Sequence, residues 1–161
     1  MGSNNIPASL PDLFPVSPWK NSTFNELYEI FLDDFISHNT SYLSYNVWVF
    51  PEQEDNKHTV FWHITSKDDT DTGYRLPDLL RCARLPWISP MILHCPDNNM
   101  MLNWDYEEGN GVIKTYIWLV NLDFVVILKR YNDRSRRLVT AYFLEYGNTK
   151  RKMRRKYENR I

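Results

Sequence analysis

From Phe24 onward apolar side chains return at Leu27, Tyr28, Phe31, Leu32 and Phe35. That spacing of i, i+3, i+4, i+7, i+8 and i+11 marks one face of an α-helix packed on a core. Thr23-Phe24-Asn25-Glu26 fits a capping box, in which the Thr hydroxyl and the Glu carboxylate satisfy orphan amides reciprocally, so the helix is predicted to begin at Thr23. Two runs rich in β-branched and aromatic residues follow, Tyr45–Phe50 and His58–Thr65, separated by a polar turn with Pro51, and they read as a hairpin. In the second run strand alternation puts Val60, Trp62 and Ile64 on one face and Thr59, Phe61, His63 and Thr65 on the other. Lys67 to Gly73 is a loop by composition. A short helix is expected with Pro77 in its first turn and Pro86 as its stop.

After Gly109-Asn110-Gly111 the pattern turns to strands again: Val112–Val120, Asp123–Tyr131 and Arg137–Tyr146, with connections short enough for an antiparallel meander. Asn148 is placed to cap a last helix, in which Met153, Tyr157 and Ile161 make an i, i+4 stripe among Lys and Arg. The expected fold class is therefore α+β: N-terminal helix or helices packed on a twisted antiparallel sheet of about four to five strands, with a basic C-terminal helix over 149–160. Residues 1–21, with Pro7, Pro11, Pro15 and Pro18, read as an extended lead-in, and 22–161 as one domain.

Composition narrows the class. Of 161 residues, 43% are hydrophobic and 15% aromatic, which excludes disordered and low-complexity chains. Six Trp, ten Tyr and eight Phe exceed what a small core needs, so either all are core or some line a surface where a ring meets a base or a partner. Cys82 and Cys95 lack metal-ligand spacing, and no apolar run approaches the roughly 18 residues of a membrane span. A cytoplasmic protein with no membrane partner is the expectation. The net charge of −1 hides an asymmetry: 7 Lys and Arg against 17 Asp and Glu up to Leu128, then 12 against 3, or −10 and +9. The basic part is either a phosphate-backbone footprint or a solvated charged helix. Lys129, Arg130, Lys150, Arg151, Arg154 and Arg155 are the candidates for RNA contact.

Candidate chemistry lies in two places. Ribonucleases that work without metal take a proton from the 2'-hydroxyl, offset charge on the phosphorane and protonate the leaving oxygen. His suits the proton steps, and Arg suits the phosphate. His63 sits in Phe61-Trp62-His63-Ile64-Thr65, and Arg75, Arg81 and Arg84 follow in the segment from Arg75 to Trp87. In the last strand Thr140 and Tyr142 share a face, two hydroxyls able to bond phosphate oxygens. Each also has an ordinary structural reading: an exposed or core His, Arg paired with nearby Asp, and Thr and Tyr as common strand residues. No Walker loop, G-x-G-x-x-G or G-x-S-x-G occurs. Asp105, Glu107 and Glu108 read as a solvated acidic turn rather than a Mg²⁺ site.

The order of helix, His63, the Arg75–Arg84 segment, and a meander ending in Leu138-Val139-Thr140-Ala141-Tyr142 before a basic tail resembles the phage-associated nucleases of the barnase, EndoU, colicin and RelE group. The resemblance covers roughly residues 24–157. It implies a helical part on a twisted antiparallel sheet and cleavage of RNA, tRNA or mRNA, with neither metal nor cofactor. It also implies toxins used between bacteria and phages or within toxin–antitoxin pairs, which makes an acidic antitoxin or immunity protein an expected partner. By position, His63 is then the general acid/base, Arg75, Arg81 and Arg84 stabilise phosphate, and Thr140 and Tyr142 complete the site. One departure is that no second catalytic His is evident; leaving-group protonation falls to Tyr142, Lys129 or water.

Overall fold

The computed structural model describes residues 6–97, 100–132 and 134–161. Helix α1 spans Thr23–Leu32 and runs on through a π-helical turn, Asp33–Ser37. Leu27, Phe31 and Phe35 are buried on it, as the apolar period predicts. Its cap lies one residue earlier than expected, at Ser22, whose hydroxyl donates to the Glu26 carboxylate. Thr23 is buried, and its hydroxyl oxygen accepts the Lys20 amide, bracing the turn that feeds the helix.

Strands β1 (Thr40–Tyr42) and β2 (Tyr45–Trp48) form a tight antiparallel pair. The predicted hairpin partner of β2 does not form. Gln53–Glu54 (β3) and Lys57–His58 (β4) make a two-residue ladder, and the chain then enters helix α2, Thr59–Thr65. The sequence favours a strand here, but Val60, Phe61, Trp62, Ile64 and Thr65 are all buried, with Phe61 and Trp62 meeting Phe24 of α1 edge-on at 6.3 and 5.1 Å. A segment wrapped on most sides satisfies its own amides best as a helix. Thr65 and Ser66 donate to the carbonyls four residues back, taking up acceptors of the last turn where the helix ends. His63 is the one well-exposed position of α2, so it lies on a helix and not on a strand face.

Ser66–Asp68 (β5) pairs with Arg75–Pro77 (β6), leading into α3, Leu79–Arg84. Pro77 belongs to β6; the cap is Asp78, which accepts the Arg81 amide. Pro86 does not end the helical region. It sits within a 3-10 turn, Leu85–Trp87, that passes into α4, Ile88–Leu93, where Pro needs no amide partner in its first turns.

The second half is the meander: β7 (Met101–Gly109), β8 (Val112–Leu119), β9 (Phe124–Tyr131) and β10 (Ser135–Phe143), followed by α5, Gly147–Glu158. The sheet has six strands in the order β1-β2-β10-β9-β8-β7, more than predicted, and it is mixed: β10 runs parallel to β2 over Ser135–Arg137. Strand β7 holds the stretch read as an acidic turn. Asp105 bonds Thr115, buried on the helix-facing side, while Glu108 bonds Tyr116 on the opposite side, so alternation keeps the two carboxylates apart.

One face of the sheet buries Ile117, Leu119, Phe124, Val126, Leu128, Leu138 and Ala141 against α1, α2 and α4. The other carries Trp104, Tyr116, Trp118, Val125 and Ile127, partly covered by Met153 and Tyr157 of α5. Ile161 is 66% exposed, so the predicted stripe on α5 ends at Tyr157. A β-bulge at Val139 shifts the phase of β10: Arg137 pairs with Lys129, Leu138 with Leu128, then Thr140 with Ile127 and Tyr142 with Val125. The bulge leaves Arg137, Thr140 and Tyr142 on one face with Lys129.

Candidate functional site

Strand β2 stops pairing with β10 at Arg137, and α2 and α3 pack beside the remaining length of β10. There His63, Arg81, Thr140 and Tyr142 converge. The Arg81 guanidinium donates to the His63 carbonyl at 2.8 Å, the Thr140 hydroxyl donates to the same carbonyl at 3.3 Å, and Arg81 lies 5.7 Å from the Tyr142 ring centroid. A last-turn helix carbonyl attracts cations and donors because it has no partner within its own helix. Asp78 holds Arg81 from the other side at 3.3 Å. Burial raises the Tyr142 phenol above its ordinary value, with the Arg81 charge acting against it, so the phenol keeps its proton at neutral pH.

His63 makes these contacts through its carbonyl. Its side chain is exposed and borders a cleft of about 180 Å³ with Thr59, Trp62, Lys67 and Arg75. Arg75 itself is neutralised: it bonds Glu54 and Asp55 and lies over the Trp62 ring at 4.5 Å. Arg84 points into the core side, 4.7 Å over Phe143 and 5.5 Å from Trp87, and donates to the Leu80 carbonyl. Burial lowers its affinity for the proton from an arginine's usual value, with Asp78 opposing. The structure thus gathers Arg81, Thr140 and Tyr142 about the His63 backbone carbonyl, places Arg75 on the cleft that the His63 side chain borders, and leaves Arg84 in other surroundings. His58 is also withdrawn: it is buried, its ring bonds the Tyr28 hydroxyl at 2.7 Å, and desolvation lowers its pKa.

The basic residues divide similarly. Lys129 is on the α5 side of the sheet with Thr140 and Tyr142. Arg130 faces the other way, where it and the buried Arg136 share Asp105. On α5, Lys150 is paired with Asp123 at 2.7 Å, and Lys156 with Glu108 at 3.0 Å. Arg154 lies 5.2 Å over Trp118, and Arg151 and Arg155 project to solvent. Beneath this helix the indole N–H groups of Trp104 and Trp118 are buried without a partner among the described residues. The described residues contain no group of three or more His, Cys, Asp or Glu placed to hold a metal ion, and no helix long and apolar enough to cross a membrane.

The chain matches no protein-family model, no curated protein and no solved structure. Sequence patterning overlooked Arg137 and Tyr131, which flank Lys129 on the same face; Arg137 was assigned only to the start of a strand. The signal was available as Lys129 and Tyr131 two residues apart, folded by a short turn onto Arg137.

Proposed function

We propose that this chain is a metal-independent endoribonuclease of the toxin type, acting where α2, α3 and β10 meet. The observation that carries the reading is the convergence around Arg81: Thr140 and Tyr142 meet it beside the backbone carbonyl of His63, whose exposed side chain borders the cleft with Lys67 and Arg75. In this reading His63 takes the proton of a 2'-hydroxyl, whose oxygen attacks the adjacent phosphorus. The bond to the 5'-oxygen breaks, leaving a 2',3'-cyclic phosphate. The departing oxygen receives its proton from the Tyr142 phenol, which burial keeps protonated. Arg81 offsets charge on the phosphorane and Thr140 orients one of its oxygens. Lys129 and the exposed Arg151, Arg154 and Arg155 extend the positive surface available to RNA, and an acidic antitoxin or immunity protein is the partner that such a surface suits.

The test is incubation with total tRNA and a mixed-sequence oligonucleotide in excess EDTA, beside His63→Ala and Tyr142→Phe. Discrete products ending in cyclic phosphate from the parent, with at least about a hundredfold slower cleavage by His63→Ala, are expected. Undiminished cleavage by both variants overturns the assignment. A second reading, an RNA-binding module without cleavage, is favoured by one observation: with the His58 ring held by Tyr28, no second imidazole stands ready beside His63. Salt-dependent binding with intact RNA in every lane identifies it.

A further inference from the structure

On the α5 side of the sheet, Lys114 pairs with Lys129 and Lys129 with Arg137, so three cations stand directly opposite one another across β8, β9 and β10. Like charges facing each other across a ladder are destabilising, and a fold normally interleaves carboxylates. Here Lys129 and Arg137 have no carboxylate partner among the described residues, whereas Arg75, Arg81, Arg130, Arg136, Lys150 and Lys156 each have one. The row continues onto β2, where Trp48 is the register partner of Arg137.

Rings, not carboxylates, hold Lys129 and Arg137, whereas the charge of Lys114 acts on the Glu108 carboxylate and helps lower its pKa. Arg137 lies 4.2 Å over Phe50 and 5.7 Å from Tyr131, and its Nε–H donates to the Tyr131 hydroxyl at 3.2 Å. Lys129 lies 4.8 Å over the Tyr131 ring. Trp48 packs against Phe50 at 5.3 Å and against Tyr131 at 5.2 Å. These contacts use one face and one N–H of the Arg137 guanidinium. Its two Nη groups make no bond among the described residues, and paired N–H donors of that kind match phosphate oxygens. Phe50 is 38% exposed and Trp48 and Tyr131 are half-buried, so ring surface remains for a planar base.

We propose that Arg137, Lys129 and Lys114, with Trp48, Phe50 and Tyr131, form a subsite for single-stranded RNA. The cations receive a backbone phosphate and the rings an unstacked base. Thr140 occupies the next row of the same face, roughly 7 Å away along the strand. Resting on the ribonuclease reading, the subsite therefore holds the nucleotide beside the reacting one. It fixes the register of the chain and favours unpaired substrate, because a base within a duplex has no free face for these rings.

Binding is measured separately from cleavage by fluorescence anisotropy with a labelled single-stranded DNA oligonucleotide, which has no 2'-hydroxyl to react. The parent and the surface variant Lys129→Gln/Arg137→Gln are compared over a salt series, with melting curves to confirm that both are folded. The variant is expected to bind at least about tenfold more weakly, with a salt slope smaller by about 0.7, for the one phosphate no longer neutralised. Tyr131→Leu should weaken binding by about tenfold while leaving the slope unchanged. For RNA longer than a dinucleotide the loss should appear in KM. Equal affinity and slope in the parent and the double variant overturn the subsite, as does a parent that binds an acidic peptide but no oligonucleotide. If the parent binds, the variants lose affinity and RNA still stays intact, the subsite stands and the ribonuclease reading falls.

Discussion

The carbonyl of His63 has two donors, Arg81 and Thr140, and this sharing has a measurable consequence. Thr140→Val removes a hydroxyl of similar shape and leaves the carbonyl bonded to a charged donor, so a loss of about 0.5–1 kcal/mol is expected. Arg81→Met removes a charge-assisted hydrogen bond, a partly exposed ion pair with Asp78 and the contact with Tyr142. Asp78 still caps α3 through the Arg81 backbone amide, so the helix start survives. Taking about 1.5 kcal/mol for the hydrogen bond, about 0.5 for the screened pair and about 0.5 for the ring gives a loss near 2–3 kcal/mol. The double variant leaves the carbonyl without either donor. An unsatisfied group costs about 1–3 kcal/mol, and access of water to this exposed edge places the coupling near the lower figure. The double loss should exceed the sum of the single losses by about 1 kcal/mol in urea unfolding at pH 7 followed by Trp fluorescence. Strict additivity would refute a shared acceptor and, with it, the reason for grouping these residues.

Arg136 is only 3% exposed and serves Asp105, the Thr115 hydroxyl, the Ser135 carbonyl and the Tyr45 ring; Arg136→Met should cost about 3 kcal/mol in chemical denaturation, against less than about 1 for Arg130→Met. Two groups give stability opposing pH slopes. Burial, with Asp33 adding, raises Asp34 from 3.8 to about 6, so its contribution is full below 3.8 and lost as pH rises through about 6. His58, lowered from 6.5 by desolvation, contributes fully above 6.5 and loses that contribution as pH falls through and below that value. Between pH 4 and 6.5 the melting temperature of Asp34→Asn should therefore rise with pH more steeply than the parent's, and that of His58→Gln less steeply; unchanged slopes refute the assignment. Met153→Asp should release α5, seen as faster proteolysis after Tyr146 and a red shift of Trp emission as Trp104 and Trp118 meet water, and parental behaviour in both counts against the docking described.

The chain displayed its local periods and concealed its long-range pairings. Helix α1 followed from spacing alone, and β8, β9 and β10 followed from apolar runs punctuated by Gly109, Gly111 and Asp123, the last in a left-handed conformation that turns the chain. Thr59–Thr65 misled because β-branched and aromatic residues favour strands until burial on several sides makes a helix the only way to satisfy the backbone. Strand β7 was hidden by acidic residues that alternate between faces, and the parallel β2–β10 pairing joins residues about ninety positions apart that no local pattern connects. His63, Arg81, Thr140 and Tyr142 were legible as residue types suited to phosphate chemistry. Their neighbourhood was legible only through tertiary contacts, which also tied Arg75 to Glu54 and Asp55 and drew Arg84 elsewhere.

Val139 acts as a comma in β10. Ahead of it, odd-numbered Arg137 faces the α5 side; after it, even-numbered Thr140 and Tyr142 do, and Ala141 and Phe143 turn inward. Remove that one residue and the strand becomes a clean two-fold repeat in which either the cation or the two hydroxyls must leave the shared surface. The chain would keep its composition, its charge and its meander. A change of one in length here thus weighs more than most changes of side chain, and the chemistry of this surface is written as much in the count of residues as in their kind.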